Sequence, residues 1–229
     1  MRTDMRIAVL GATGMVGSRV VDEANARGRR VIALSRRPVG RTAGSPNVTP
    51  VGVDANDSRA VREALVGSAS HGRVEAVVLT VRTMPVDEEF LVGTTRAVLD
   101  IAGELGIRVL VVGGAGALRS PEDSQLLVAD NTAFVPADIK AVAAAGVAQL
   151  RTCQSHAKAD WVYLSPPALL EPGLRTGGYR RGTDTLLIGA DGRSWISAED
   201  LAVAVVDELD TPGPDQHITV VHHTERPST

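Results

Sequence analysis

The chain has 229 residues, a length that suits one α/β domain covering residues 1–229. Its formal net charge of -3 and its single cysteine, Cys153, argue against a nucleic-acid partner and against an internal disulfide or redox pair. The early apolar run Ile7–Leu10 is too short for a signal peptide or a membrane span, so we expect a cytoplasmic protein with no membrane partner.

Short β-branched runs alternate along the chain with segments whose apolar residues recur at helical spacing, which is the pattern of βαβ units. This alternation predicts strands at 5–10, 30–34, 48–53, 74–80, 107–112, 160–165 and 216–221. It predicts helices at 14–27, 57–67, 87–105, 137–155 and 198–209. We therefore expect a Rossmann-type, doubly wound α/β fold with a mostly parallel sheet and right-handed crossovers.

The pattern changes in a substrate-side elaboration at about 165–200. Two short apolar runs, Thr185–Ile188 and Ser194–Ile196, flank Asp191–Gly192, a dipeptide suited to a tight turn, so we predict a small C-terminal hairpin there. Ser197 is followed three residues later by an acidic residue, which predicts the N-cap of the last helix. The tail at 224–229 is expected to fray.

The glycine-rich segment Gly11–Gly17, with the sequence GATGMVG, directly follows a predicted strand and opens a predicted helix. Gly11 permits a sharp turn, Gly14 lets the backbone approach a pyrophosphate, and Gly17 lets the helix pack closely on the strand. The helix N-terminus adds N–H donors and a positive dipole, and Thr13 adds a hydroxyl. The segment therefore predicts a dinucleotide site, and the alternative is a glycine turn without a ligand.

The end of the second predicted strand indicates which nicotinamide cofactor fits. NAD-binding folds place a carboxylate there to accept from the ribose hydroxyls, whereas this strand ends in Ser35, Arg36 and Arg37. Guanidinium groups can hold a 2′-phosphate and Ser35 adds a donor, so we predict NADP(H). The alternative is that both arginines are solvated surface residues.

Other strand ends supply further candidates. Asp54 follows the third predicted strand, where it could accept from the adenine amino group or could instead mark the start of the next helix. Thr80 ends the fourth predicted strand beside the expected cofactor.

Several motifs together give the chain a family resemblance. Besides the glycine-rich segment, Arg36–Arg37 and Asp54, they are the VVGGAG run Val111–Gly116, the YLSPPALLEPG run Tyr163–Gly173 and the WISAED run Trp195–Asp200. From about residue 5 to 221 the chain resembles the atypical short-chain dehydrogenase/reductases, and most of all their NAD(P)H-binding, NmrA-like members similar to flavin and biliverdin-IXβ reductases.

The resemblance implies a contact set for each part of NADP(H). The pyrophosphate would be lined by Gly11, Thr13, Gly14, Met15, Val16 and Gly17, and the 2′-phosphate by Arg36 and Arg37. The adenine would meet Asp54 and Ala55, and the nicotinamide ribose would meet Thr80 and Val81. The nicotinamide would lie against Gly113 and Gly114, with its carboxamide near Ser165, Pro166, Pro167 and Ala168. Related enzymes often pair through helices corresponding to 87–105 and 137–155, so a homodimer is expected by analogy.

The Tyr-x-x-x-Lys pair that most members of the wider superfamily use for proton transfer is missing. The tyrosines of the chain are Tyr163 and Tyr179, and neither is followed by lysine four residues later. Lys140 lies in the helix that usually carries the lysine but has no tyrosine partner in it, and Ala117 follows the Gly113–Gly116 run where related reductases often place a serine.

Weaker catalytic candidates remain. Arg82 could bind a substrate anion or pair with Asp87 or Glu88, and His156 could relay protons or simply end a helix. Tyr179 belongs, with Arg175, Arg180 and Arg181, to a glycine-rich loop that is either a substrate lid or an ordinary surface loop. The late histidines lack the spread of ligands that a metal site needs, so no metal is expected.

The sequence leaves three functions open. The first is an NADPH-dependent reductase of a flavin, a quinone or a related conjugated small molecule, whose proton could come from solvent. The second is a non-catalytic NADP(H)-binding redox sensor, and the third is a non-redox isomerase or cyclase on the same scaffold.

Overall fold

The computed structural model describes residues 5–38, 45–67 and 72–223 and contains the expected doubly wound sheet. Its ten strands are β1 Arg6–Leu10, β2 Arg30–Ser35, β3 Val48–Gly52, β4 Ala76–Leu79, β5 Arg108–Val112, β6 Trp161–Ser165, β7 Leu169–Glu171, β8 Tyr179–Gly182, β9 Trp195–Ser197 and β10 His217–His222. Eight strands form one sheet in the order β3-β2-β1-β4-β5-β6-β10-β8, in which β8 alone runs antiparallel to its neighbour. The predicted fold class is confirmed. The tail at 224–229, expected to fray, lies outside the described residues.

The helices begin and end within a few residues of the predicted positions. They are α1 Met15–Ala26, α2 Ser58–Val66, α3 Glu88–Leu105, α4 Lys140–Gln154 and α5 Ala198–Asp210. A short 3-10 turn, Ala137–Ile139, leads into α4 and accounts for the earlier start that the sequence predicts. Within residues 5–38, 45–67 and 72–223, no helix combines the length and apolar character that crossing a bilayer requires.

The helices cover both faces of the sheet, and β1 shows why. Ile7 and Val9 pack into an apolar cluster with α1 and α5, whereas Ala8 and Leu10 pack into the cluster formed with α2, α3 and α4. All four side chains are at most 1% exposed. An uninterrupted apolar run is what a parallel strand buried on both faces requires.

Local signals in the sequence set the ends of several helices. Asp87 begins α3 by accepting from the N–H of Phe90 at 2.9 Å, and Gly106 ends it in the left-handed region with φ of 66°. The predicted cap of α5 is also present, because Ser197 accepts from the N–H of Asp200 at 3.0 Å.

The C-terminal elaboration is antiparallel as expected, but its strands differ from the predicted ones. The antiparallel pair is β8 against β10, in which Arg181 lies opposite Val220. The predicted turn at Asp191–Gly192 exists, and the N–H of Gly189 donates to Arg193 O at 2.7 Å. The segment after this turn, β9, pairs in parallel with β7, because Leu169 meets Trp195 in register, so 185–188 and 194–196 do not form a hairpin with each other.

A fully buried carboxylate, Asp200, holds the segment between β7 and β8 against α5. It accepts from the N–H and hydroxyl of Thr176 at 2.8 and 2.6 Å, and from the N–H of Gly177 at 2.7 Å. Since all three donors are directed at one buried group, they lose their partner together if it is removed.

We expect Asp200→Ala to lower the free energy of unfolding by about 3 kcal/mol, because it removes three hydrogen bonds to a buried carboxylate. Urea unfolding followed by circular dichroism measures this change. Glu122→Ala removes an exposed carboxylate and serves as the control that should leave stability unchanged. Equal unfolding midpoints for the two variants would contradict the anchoring role of Asp200.

Candidate functional site

A cleft of about 620 Å³ opens at the carboxyl ends of the parallel strands. This is the edge at which open α/β sheets bind ligands. Most of the residues predicted to contact a cofactor line it: Gly11, Thr13, Gly14, Met15, Val16, Ser35, Arg36, Asp54, Ala55, Thr80, Val81, Gly113 and Gly114. The structure therefore brings together positions that lie up to about a hundred residues apart in sequence.

At the floor of the cleft, the backbone of α1 packs closely against the ends of β1 and β4. Gly11 has φ of +96°, and a Cβ on it would lie 2.6 Å from Oγ1 of Thr80. A Cβ on Gly17 would collide with the carbonyl oxygen of Gly11. The hydroxyl of Thr80 lies 3.1 Å from the carbonyl oxygen of Leu10 and ties β4 to this turn. Gly17 thus packs beneath the cleft and does not line it.

The N-terminus of α1 reaches the cleft without a side-chain cap. Gly14 is its N-cap residue, and among the described residues no side chain accepts from this helix end and no acidic residue lies in its first turn. By contrast, Asp57, Asp87 and Ser197 cap α2, α3 and α5. The N–H groups and positive dipole end of α1 therefore suit an anion that enters the cleft.

At the end of β2 the cleft is lined by a guanidinium side chain. Arg36 lines it and Arg37 does not, and neither forms an ion pair with a residue in the described ranges. Ser35 is 6% exposed, and its hydroxyl donates to the carbonyl oxygen of Arg37 at 3.0 Å, which fixes this corner. Asp54 also lines the cleft and accepts from the N–H of Asn56 at 3.0 Å. The cap of the next helix is a different residue, so Asp54 does not have that alternative role.

These observations test whether a dinucleotide fits. The turn from Gly11 to Gly17, which we call the glycine cradle, is so tightly packed that a Cβ at Gly11 or Gly17 would overlap neighbouring atoms. The uncapped N-terminus of α1 faces the same space. Arg36 supplies a positive charge at one end of the cleft. The residues present fit a phosphorylated dinucleotide.

At the other end of the cleft, Tyr163 supports the floor from below. Its ring leaves no space for a Cβ on Gly113, and its hydroxyl donates to Gly146 O at 2.9 Å and accepts from the N–H of Gly114 at 3.3 Å. Complete burial raises the pKa of Tyr163 above its ordinary range. This tyrosine therefore holds backbone in position and is unsuited to donating a proton near neutral pH.

Helix α4 presents Val142, Gly146 and Gln149 to the cleft. Val142 and Gly146 are separated by four residues, the spacing of the missing Tyr-x-x-x-Lys pair, and neither has a functional group in its side chain. Gln149 is 2% exposed and was not predicted from the sequence. Lys140, at the start of this helix, is not among the cleft-lining residues.

Arg82 is the one weaker catalytic candidate that the structure brings to the cleft within the described ranges. Its guanidinium contacts the sulfur of Met84 at 3.6 Å. Among described residues it forms no ion pair with Asp87 or Glu88, the pairing considered as its alternative. Its charge therefore remains available to a ligand.

Two other candidates lie elsewhere. His156 faces Asp100, with Nε2 3.1 Å from Oδ1, near the end of α4 far from the cleft-lining turns. The hydroxyl of Tyr179 donates to Oδ2 of Asp207 at 2.7 Å. Tyr179 lines a separate cavity of about 1010 Å³ at the amino ends of the strands, so it is not a cleft residue.

The glycine-rich segment considered as either a lid or an ordinary surface loop is held by ion pairs at several points. Arg175 donates to both carboxylate oxygens of Glu23 on α1, at 2.7 and 2.9 Å, and its guanidinium lowers the pKa of that carboxyl. Arg181 pairs with Asp215 at 2.8 Å. These long-range ion pairs tie the segment to α1 and to the loop after α5, and none of the four paired residues lines the cleft.

The Ser165–Ala168 segment lies beside the cleft, outside its lining. Ser165 is fully buried, with Oγ 2.9 Å from Nε2 of His217. Burial lowers the pKa of His217 to about 4, so this imidazole is neutral near pH 7. Pro166 and Pro167 are buried, and Leu170 is the residue that continues from this segment into the cleft wall.

Comparisons with known proteins agree with this geometry. A family model described as NAD(P)H-binding matches residues 11–212. The uncharacterized protein YwnB of Bacillus subtilis (strain 168) is 33% identical over 227 residues, which cover 96% of this chain and 100% of that protein.

Solved structures give the same result for the fold. A Bacteroides thetaiotaomicron protein, provisionally described as an epimerase, is 30% identical with a TM-score of 0.84 and covers 97% of this chain and 99% of its own. A Streptococcus pneumoniae TIGR4 protein, provisionally described as an NADH-flavin reductase, is 24% identical with a TM-score of 0.78 and covers 95% of this chain and 99% of its own. With the glycine cradle and cleft already described, these matches confirm the expected relation to the atypical short-chain dehydrogenase/reductases, and the chain belongs to the NAD(P)H-binding family.

Proposed function

We propose that this protein is an NADPH-dependent reductase that transfers hydride to a flavin, a quinone or a related conjugated small molecule. One observation carries the proposal, namely the contrast between the two ends of a single cleft. The phosphate end has an uncapped helix N-terminus and Arg36, while the α4 face at the other end has, among described residues, neither tyrosine nor lysine.

The cofactor would lie along the loops after β1, β2 and β4. Gly11, Gly14 and the first turn of α1 would hold the pyrophosphate, and Arg36 would pair with the 2′-phosphate that distinguishes NADPH from NADH. Asp54 would accept from the adenine amino group, and Gly113 would leave room for the nicotinamide. When bound, NADPH supplies a hydride to an electron-poor acceptor.

The acceptor side of the cleft suits a flat, apolar ring. Met84 is 74% exposed and Val142 is 40% exposed, and both line the cleft with Leu170. A quinone takes up one hydride and one proton to become a hydroquinone, and water can supply the proton because the reduced oxygen is reachable from solvent. No side-chain acid is required for this chemistry, which is consistent with the composition of the α4 face. The flavin reductase description of the pneumococcal relative is consistent with the same class of acceptor.

The purified protein should oxidise NADPH in the presence of menadione or FMN, and NADH should be a poorer donor because it lacks the 2′-phosphate. Absorbance at the reduced-nicotinamide band measures the rate, with simple aliphatic ketones as the comparison acceptors. Turnover of those ketones alone would contradict the conjugated acceptor. Tight NADPH binding without turnover of any acceptor would favour the redox-sensor hypothesis, which the missing Tyr-x-x-x-Lys pair also supports.

The two neighbouring arginines provide a matched pair for cofactor choice. Arg36→Ala should weaken NADPH binding about tenfold or more and leave NADH binding nearly unchanged, because it removes a charged hydrogen bond to the 2′-phosphate. Arg37→Ala should have a much smaller effect, since Arg37 does not line the cleft. Titration of cofactor fluorescence measures both affinities. An equal loss for NADH and NADPH in Arg36→Ala would reject the assignment.

Gly14→Asp separates the role of the helix N-terminus in binding from its role in folding. Gly14 has φ of -73° and ψ of 171°, which any residue adopts, and aspartate is a favoured N-cap residue. A Cβ at Gly14 would lie 3.3 Å from the carbonyl oxygen of Gly11, so we expect the gain from capping to be offset and thermal stability to change little. We expect at least about tenfold weaker NADPH binding, because the carboxylate repels the pyrophosphate.

Gly14→Asn is the control, since it caps the helix without the charge. It should bind NADPH better than Gly14→Asp does. If the aspartate variant binds NADPH as well as the wild type, the pyrophosphate does not lie at this helix end.

A further inference from the structure

The amide of Gln149 has its orientation fixed by a buried chain of hydrogen bonds. Its Nε2 donates to Oγ1 of Thr95 at 3.0 Å. Thr95 uses its own hydroxyl hydrogen to donate to the carbonyl oxygen of Leu91 at 2.7 Å, so its oxygen can only accept from Gln149. On the other side, Oε1 of Gln149 lies 3.3 Å from the hydroxyl of Tyr163. The hydrogen bond to Thr95 therefore favours the orientation in which Nε2 faces that residue.

This orientation leaves one donor for the cleft. An amide NH₂ group carries two hydrogens, and in the described part of the chain Nε2 of Gln149 has one acceptor, Thr95. The residue is 2% exposed and lines the cleft next to Gly114 and Gly146. A buried donor without an acceptor is costly, and because Gln149 lines the cleft, a ligand bound there can supply the missing acceptor.

The position of Gln149 indicates what that partner is. The glycine cradle and Arg36 occupy the phosphate end, whereas Gln149 lies at the opposite end with the apolar residues Val142 and Leu91. Its neighbours along the cleft face of α4 have no polar side chain. A neutral amide donor beside the apolar residues Val142 and Leu91 suits an uncharged carbonyl oxygen on a ring.

We propose that Gln149 donates a hydrogen bond to a carbonyl oxygen of the conjugated acceptor and thereby selects carbonyl-bearing rings. The proposal rests on the reductase function proposed above. When hydride is transferred from NADPH to the ring, the electron pair moves onto the carbonyl oxygen, which Gln149 stabilises before a proton arrives from solvent. The oxygen becomes a hydroxyl, the acceptor is reduced by two electrons and NADPH becomes NADP⁺.

Two substitutions separate this role from a structural one. Gln149→Leu keeps the approximate volume and removes the donor, while Thr95→Val breaks the same buried chain at a residue that does not line the cleft. We expect Gln149→Leu to lower kcat/KM for menadione at least about tenfold and to leave the NADPH dissociation constant within about twofold of the wild type. Thr95→Val should lower thermal stability and should lower kcat/KM for menadione by a smaller factor than Gln149→Leu does, because the amide keeps its hydrogen but loses the contact that orients it.

An acceptor without a carbonyl group serves as a further control for the comparison of wild type with Gln149→Leu. Reduction of a tetrazolium dye should be nearly equal in the wild type and in Gln149→Leu, because the dye offers no carbonyl oxygen to the amide. Equal kcat/KM for menadione in wild type and Gln149→Leu, equal losses in Gln149→Leu and Thr95→Val, or equal losses for menadione and the dye would each overturn the proposal.

If the protein turns over no acceptor, a measurement of menadione binding still tests the proposal. Calorimetric titration of menadione into the NADP⁺-loaded protein should show at least about fivefold weaker binding by Gln149→Leu than by the wild type. If the wild type reduces no acceptor, the reductase function fails, and the Gln149 proposal is still tested by this difference in affinity. Equal affinities, or no binding of menadione by the wild type, would overturn it.

Discussion

The close contact between α1 and the ends of β1 and β4 is the constraint on which the rest of the cleft depends. Gly11 and Gly17 have no side chains because the backbone of one lies directly against the other, and the hydroxyl of Thr80 ties the neighbouring strand to the same turn. The N–H groups of Gly11 and Ala12 both donate to the carbonyl oxygen of Leu34, so this turn also holds the end of β2. Three strands are thereby fixed around one helix N-terminus, and the space above it has a defined shape.

A second close contact divides the cleft into ends with different chemistry. Tyr163 fills the position below Gly113 and uses its hydroxyl to hold the backbone of Gly114 and Gly146. Tyr163 is thus a buried support for the cleft floor. As a result, the α4 face of the cleft presents Val142, Gly146 and Gln149, of which Gln149 alone has a polar side chain, whereas Arg36 and Asp54 line the other end.

Local patterns in the sequence were sufficient for the main strands, the helices and the glycine-rich turn at one end of the cleft. The apolar run Ile7–Leu10 and the glycine motif after it determine a buried strand and a turn through contacts between near neighbours. Those patterns do not predict contacts between residues that are far apart in the sequence. The parallel pairing of β9 with β7 depends on a strand more than twenty residues earlier, and Tyr179 is drawn to Asp207 on α5 by a contact across 28 residues.

The same reason explains why Gln149 was not predicted. A glutamine in the middle of an Ala-rich helix is ordinary in sequence, and its significance depends on Thr95, 54 residues earlier, and on Tyr163 in another strand. Only when the three are brought together does the amide have a fixed direction and a remaining hydrogen. Loss of the superfamily's tyrosine and lysine at the α4 surface therefore does not leave the site without a polar group. It replaces a proton donor that titrates with a neutral hydrogen-bond donor that does not, and such a donor suits an acceptor whose proton can come from water.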